Sequence, residues 1–283
     1  MQEVMRRLLF HPRVLSVLVA VAVVLVSGGC ANHGPEIAGT TRSFPRGQGF
    51  VSKTIVVDRE VHRYFVFVPK DYDPHKSYPT IVFLHGLFEG GTDGAKPLGV
   101  GIGPEIAKDP ASWPFITVFP QAKNNWKGAA NDRLVMACLT ETIKHYSVDR
   151  DRVILAGLSY GGLGTWQIGA RHTDVFAALV PAGGFADAAS IAPLRDTPVW
   201  AFHYSGDVIV PVKNAHTMCD GLKKIGGDVK LTEFAGVGHN PWPILVDDSG
   251  AVQWMLRQRL STNLAAAAKR HSAEREATAD ANE

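Results

Sequence analysis

The chain has 283 residues, 46% of them hydrophobic and 20% charged, with a formal net charge of +2. That is ordinary globular composition, apolar enough for a sizeable core and unlike a disordered chain. The small, balanced charge argues against a nucleic-acid or polyanionic partner.

Arg6, Arg7 and Arg13 flank the start of an apolar run from Val14 to Val26, 13 residues interrupted only by Ser16. A bilayer span needs roughly 20 apolar residues, so residues 1–30 read as a signal peptide. Ser27-Gly28-Gly29-Cys30 resembles the lipobox of bacterial lipoproteins, whose cysteine becomes the lipidated N-terminus. The resemblance implies an exported cell-envelope lipoprotein held to the membrane through Cys30. Gly29-Cys30-Ala31 also fits a small-x-small cleavage site, which would give a soluble secreted or periplasmic form. Residues 31–52 are rich in Gly, Pro, Thr and Arg without periodicity and read as a linker.

A catalytic domain is expected over 53–260. Residues 53–68 alternate like a hairpin turning at Asp58-Arg59-Glu60. Parallel-strand patterns follow at 80–84, 116–119, 153–157, 177–181, 198–203 and 229–234, the last alternating. Helical patterns lie between them. One runs from Asn131 to Tyr146, with Val135, Leu139 and Ile143 on one face and Asn131 or Asp132 as cap. Others cover 162–172, 213–225 and 250–260. This alternation predicts an α/β fold, a mostly parallel sheet with helices on both faces. About 16 residues separate the strands ending at Pro181 and starting at Pro198, too few for a lid domain. Residues 261–283 are rich in alanine and charge but lack an apolar face, and are expected to be disordered. Cys138 and Cys219 read as buried thiols on separate helices, with pairing left open.

Gly157-Leu158-Ser159-Tyr160-Gly161 is the most specific motif. It joins the strand Val153–Ala156 to a helix start, the context in which a G-x-S-x-G turn lifts a serine hydroxyl clear of a sheet. A serine nucleophile needs a histidine base and a carboxylate to orient it. Asp207 follows the strand 198–203, and His239 follows the strand 229–234. The order serine, acid, histidine places all three on loops at the carboxyl edge of one sheet. The rivals by residue type are Asp187 and Asp196 for the acid, and His172, His203 and His216 for the base. None follows the expected strand as Asp207 and His239 do. The loop His85-Gly86-Leu87 after the strand 80–84 can aim backbone N–H groups at an oxyanion. The N–H groups of Leu87 and Tyr160 are the expected donors. Trp126 and Trp242 are candidate pocket-lining residues, with burial in the core the equal alternative. No H-x-x-x-H or C-x-x-C pattern suggests a metal, and no cofactor is implied.

Four blocks carry a family resemblance over about 53–260. They are Phe83-Leu84-His85-Gly86 with Glu89-Gly90-Gly91-Thr92-Asp93; Phe119-Pro120-Gln121 with Trp126; Val148–Val153 leading into the serine turn; and Pro198-Val199-Trp200 through Asp207 and Val210-Pro211, with Gly236–His239 and Trp242. They resemble the α/β-hydrolases of the esterase D, polyhydroxybutyrate-depolymerase and feruloyl-esterase-like group, close to prolyl-oligopeptidase catalytic domains. The resemblance implies a serine carboxylesterase acting on a small-molecule ester or a polymer end. His203 to Asp207 departs from that pattern, which usually has His-Gly before the acid. A serine peptidase, an acyltransferase and a non-catalytic envelope binding lipoprotein are the alternatives.

Overall fold

The computed structural model describes residues 47–280, with side chains to 278. The signal peptide, Cys30 and the first part of the expected linker lie outside the described residues. Eight strands form one sheet: β1 (Gly49–Val57), β2 (Glu60–Val68), β3 (Tyr78–Leu84), β4 (Ile116–Phe119), β5 (Val148–Leu158), β6 (Ala178–Ala182), β7 (Val199–Tyr204) and β8 (Val229–Phe234). Their order is β1-β2-β4-β3-β5-β6-β7-β8. The first three strands in that order pair antiparallel, and all other pairs are parallel. The helices are α1 (Ile102–Lys108), α2 (Ala129–His145), α3 (Tyr160–Arg171), α4 (Lys213–Lys224), α5 (Trp242–Asp247), α6 (Ala251–Arg257) and α7 (Leu260–Asp280). None of the helices described is long and apolar enough to cross a membrane.

The central strands are buried on both faces, which is why they read as continuous apolar runs. On β3, Val82 and Leu84 join a core with Val135 and Leu139 of α2, Trp166 of α3 and Met218 and Leu222 of α4. Ile81 and Phe83 point the other way, to Ile106 of α1, Leu245 of α5 and Met255 of α6. The two-residue period of the strands thus divides the core into two layers, one on each side of the sheet. Cys138 and Cys219 are buried free thiols on α2 and α4, and burial pushes the Cys219 thiol up to about 12.

Several boundaries differ from the sequence reading. β1 begins at Gly49, four residues inside the domain side of the expected linker. β5 begins at Val148, which pairs with Tyr78 of β3 ahead of a register shift, and Asp149 accepts there from the Asp151 N–H at 3.0 Å and from Arg152 at 2.6 Å. α2 begins at Ala129 with Gly128 as its N-cap, so neither Asn131 nor Asp132 caps it. Asp132 instead receives two hydrogen bonds from Arg171, at 2.5 and 2.8 Å, tying α2 to α3.

The expected disordered tail is a correction: residues 260–280 form helix α7. Polar contacts hold it where an apolar stripe is missing. Asp151 accepts from the Ser261 N–H and hydroxyl at 2.7 and 3.0 Å, and Asn263 donates to the Ala177 carbonyl at 2.7 Å. Arg270 pairs with Asp196, and Glu274 with Arg195.

Among the described glycines, Gly161 leaves the least room for a side chain. A Cβ there would stand 1.8 Å from the Leu84 carbonyl oxygen, and one at Gly157 would stand 2.4 Å from the Gly161 carbonyl oxygen. Gly161→Ala is expected to destabilise the protein by about 3 kcal/mol or more, since backbone must move to admit the methyl. Urea unfolding followed by tryptophan fluorescence measures it.

Candidate active site

Ser159 sits between the end of β5 and the start of α3 with φ 59° and ψ −115°. A non-glycine residue rarely adopts such a backbone, at a cost of about 1–3 kcal/mol. Its N–H donates to the Ala182 carbonyl at 2.9 Å, and its carbonyl accepts the first helical bond of α3 from Leu163 at 3.0 Å. The N–H groups of the first helical turn, Tyr160 included, have no intrahelical acceptor.

Asp207 follows β7, and its side chain is fully buried. One carboxylate oxygen accepts the N–H groups of Ile209 and Val210, each at 2.9 Å. The other receives His239 Nδ1 at 2.7 Å. A carboxylate held by N–H groups only accepts, so Nδ1 carries the imidazole proton and Nε2 keeps its lone pair. The acid and histidine loops are also joined through the Gly206 N–H, which donates to the Gly236 carbonyl at 2.9 Å. A Cβ at Gly183 would lie 3.5 Å from His239 Nδ1 and Cε1. The imidazole therefore rests over Gly183, next to the carbonyl that holds Ser159. The structure thus brings Ser159, Asp207 and His239 to one edge of the sheet. Asp187 instead caps a 3-10 segment over Ala188–Asp196, and Asp196 pairs with Arg270. His172 lies at the C-terminal end of α3, and His216 on α4 pairs with Glu233 rather than with Asp207.

The turn after β3 is held by His85, which is fully buried. Its Nε2 accepts the Ala122 N–H at 3.1 Å, so its Nδ1 bears the proton and donates to the Gly86 carbonyl at 2.6 Å. No peptide is cis. In a trans peptide the carbonyl and N–H point opposite ways. Holding the Gly86 carbonyl inward therefore turns the Leu87 N–H outward. A Cβ at Gly86 would reach within 3.8 Å of the Ser159 Cβ and 2.9 Å of a Glu89 carboxylate oxygen, so glycine lets this turn close on the serine. Burial raises the Glu89 carboxyl above its ordinary range.

Of the two readings for Trp126 and Trp242, the structure shows the core one: both side chains are fully buried. Trp126 donates to the His85 carbonyl at 2.8 Å, and Trp242 packs edge-on against Phe83. Gln121 and His203 support the loops around the serine, roles not read from the sequence. The Gln121 amide donates to the Glu89 carbonyl at 2.9 Å and accepts the Gly94 N–H at 2.6 Å, bracing the loop after β3. Buried His203 Nε2 donates to the Val210 carbonyl at 2.7 Å and lies 3.3 Å from Asp207. A histidine ending a buried strand four residues before the acid was the available signal. Asn124 and Asn125 line a polar cleft of about 300 Å³ with Asp58, Glu60, His62 and Lys123, beside the tip of the β1–β2 hairpin. Among the described residues, no group of three or more His, Cys, Asp or Glu side chains is placed to hold a metal ion.

Burial pushes the His85 imidazole down to about 4. Its pKa is lower folded than unfolded, so its contribution is intact above about pH 6.5 and lost as pH falls towards 4. The loss over that window is about 3 kcal/mol. His85→Gln is expected to flatten the acid-side slope of unfolding free energy by about one proton, read from denaturant melts between pH 7 and 4.

A model of the prolyl oligopeptidase family matches residues 120–193. The acyl-protein thioesterase 1 homolog 2 of Dictyostelium discoideum is 26% identical over 189 residues, covering 56% of this chain and 82% of that protein. A thermostable esterase of known structure superposes with a TM-score of 0.65 at 30% identity, over 74% of this chain. The chain spans 63% of that esterase's length. A ferulic acid esterase superposes at 0.58 over 74% of this chain and 99% of its own, at 19% identity, a likeness of fold. With this strand order and a serine turn between β5 and α3, the chain has an α/β-hydrolase fold, similar to that of esterases of known structure.

Proposed function

We propose that the protein hydrolyses carboxylic esters through an acyl-enzyme on Ser159. The observation that carries this is the 2.7 Å hydrogen bond from His239 Nδ1 to buried Asp207, beside a serine held at φ 59°. Asp207 fixes the tautomer that leaves Nε2 as a base. His239 takes the Ser159 proton as Oγ attacks the ester carbonyl. The tetrahedral oxyanion is received by the N–H groups of Leu87 and Tyr160, donors typically worth a few kcal/mol each in the transition state. The imidazolium then protonates the leaving alcohol. Water attacks the acyl-enzyme with His239 again as base, and carboxylate and free serine result.

The likenesses to a thioesterase and to esterases support acyl transfer from an oxygen or sulfur ester. The match to the prolyl oligopeptidase family model makes peptide hydrolysis the second reading. The connection between β6 and β7, residues 183–198, holds only a short 3-10 segment and no lid. An acyl-enzyme open to water favours hydrolysis over transfer to another acceptor. Export and lipidation at Cys30 are part of the same proposal, supported by the sequence of residues 1–31 alone.

Ser159→Ala is expected to abolish turnover of p-nitrophenyl esters and labelling by a fluorophosphonate. Asp207→Asn should lower kcat by about 10³- to 10⁴-fold, because the amide favours the wrong imidazole tautomer. Steady-state assays across acyl lengths, beside a prolyl p-nitroanilide, check both. Faster cleavage of the anilide, or ester turnover retained in Ser159→Ala, contradicts the reading.

A further inference from the structure

Nine large hydrophobic side chains are exposed among the described residues: Val56, Val61, Leu87, Phe88, Val208, Ile209, Ile225, Val237 and Leu264. Scattered singly, such residues are unremarkable. Here all but Ile225 and Leu264 fall at one end of the molecule. Leu87 and Phe88 follow β3, Val208 and Ile209 follow β7 beside Asp207, and Val237 follows β8 two residues before His239. β2 runs antiparallel to β4, so the tip of the β1–β2 hairpin, where Val56 faces Val61, also rises at the carboxyl edge. This is the edge that holds Ser159.

The degree of exposure separates this rim from a pocket wall. Phe88, Val208 and Val237 are 87%, 83% and 81% exposed. Side chains that line a substrate pocket are covered by their neighbours, whereas these stand out into water. The rim is also short of charge near the acid and the histidine. Residues 208–212 and 235–246 contain no Asp, Glu, Lys or Arg. A neutral apolar partner matches those loops, and an anionic one finds no complement in them.

We propose that this rim docks the catalytic edge onto a neutral phospholipid surface, so that Ser159 receives acyl esters packed at that surface. The inference rests on Ser159 being the nucleophile. Whatever covers the rim also covers the serine, so the occupant must itself present the ester. Partial insertion of Phe88, Val208 and Val237 removes apolar area from water and brings the nucleophile to the acyl-ester plane. The chain outside the structure permits this orientation. β1 starts at Gly49 opposite Val68, at the far edge of the sheet. Residues 31–46, fully extended, reach about 55 Å, against about 30 Å for a nine-residue strand. A membrane attachment at Cys30 would therefore leave the catalytic edge free to turn towards the same surface.

The test uses the full chain, the Phe88→Ser/Val208→Ser/Val237→Ser variant and a Ser159→Ala control. Any N-terminal attachment is then common to all. Turnover is measured on dissolved p-nitrophenyl butyrate and on p-nitrophenyl palmitate held in phosphatidylcholine vesicles. The triple variant is expected to keep butyrate turnover within twofold and to lose vesicle turnover tenfold or more. Phe88→Asp alone should lower the vesicle-to-butyrate ratio at least fivefold, and serves if the triple variant does not fold. An unchanged ratio overturns the proposal. So does wild-type turnover of butyrate without turnover in vesicles. Vesicle turnover that requires phosphatidylglycerol and vanishes in salt also overturns it, since attraction would then be electrostatic. Absence of Ser159-dependent butyrate turnover in the wild type overturns instead the esterase reading on which the inference stands.

Discussion

The contact between the Leu84 carbonyl and the backbone of Gly161 governs the geometry of this edge. With 1.8 Å between that oxygen and any Cβ at 161, only glycine lets α3 start so close to the end of β3. The same closeness leaves too little chain between β5 and α3 for a relaxed turn, and Ser159 is driven to φ 59°. The strain persists because both flanks are fixed. β5 is paired on both sides in the sheet, and α3 is anchored by buried Trp166 and by Arg171 on Asp132. An isolated loop would relax by flipping the serine into an ordinary conformation. Here relaxation would require pulling a helix from the sheet.

Buried histidines perform two different tasks around that serine. His85 and His203 each donate to a backbone carbonyl, of Gly86 and Val210, and so hold the turns that carry other groups. Their value is directional: a ring nitrogen that donates fixes one peptide plane, and that plane fixes the N–H on its other side. His239 differs because its Nδ1 donates to the Asp207 carboxylate rather than to a backbone carbonyl, which leaves Nε2 with its lone pair. Its side chain is 21% exposed while Asp207 is fully covered. Burial strengthens the attraction of Asp207 for an imidazolium, and partial exposure leaves the base reachable by substrate. The carboxylate remains tolerable in the interior because two backbone N–H groups and the imidazole occupy its oxygens.

The elements that position chemistry were legible because strand, turn and helix signals coincide there. The serine turn follows Val153–Ala156 and the loop carrying Asp207 follows Val199–Phe202, apolar runs that read as buried parallel strands, and the His239 loop follows the alternating edge strand Val229–Phe234. Other features were not legible because long-range polar contacts decide them. α7 has no apolar stripe, yet Asp151, Asp196 and Arg195 supply partners distant in sequence. Asp132 looks like a helix cap until Arg171, 39 residues away, claims it. Trp126 and Trp242 carry no mark that separates a pocket wall from a core residue. Only the path of the 121–127 loop across His85 places Trp126 inside.

The absence of a lid between β6 and β7 bears on what must exclude water during reaction. Many closed sites gain rate by surrounding charged intermediates with protein. Here the acid is the only triad member wholly enclosed, and the serine turn and histidine face outward with apolar loops around them. Desolvation of the oxyanion then has to come from the substrate and from whatever the substrate is packed in. In the proposed mechanism a short soluble ester would supply little cover and would leave the Leu87 and Tyr160 N–H groups competing with water for the oxyanion. A long acyl ester held in an apolar phase covers the loops and strengthens the same two hydrogen bonds without any movement of the protein. If the proposed mechanism holds, acyl length would act on kcat through dielectric as well as on KM through contact.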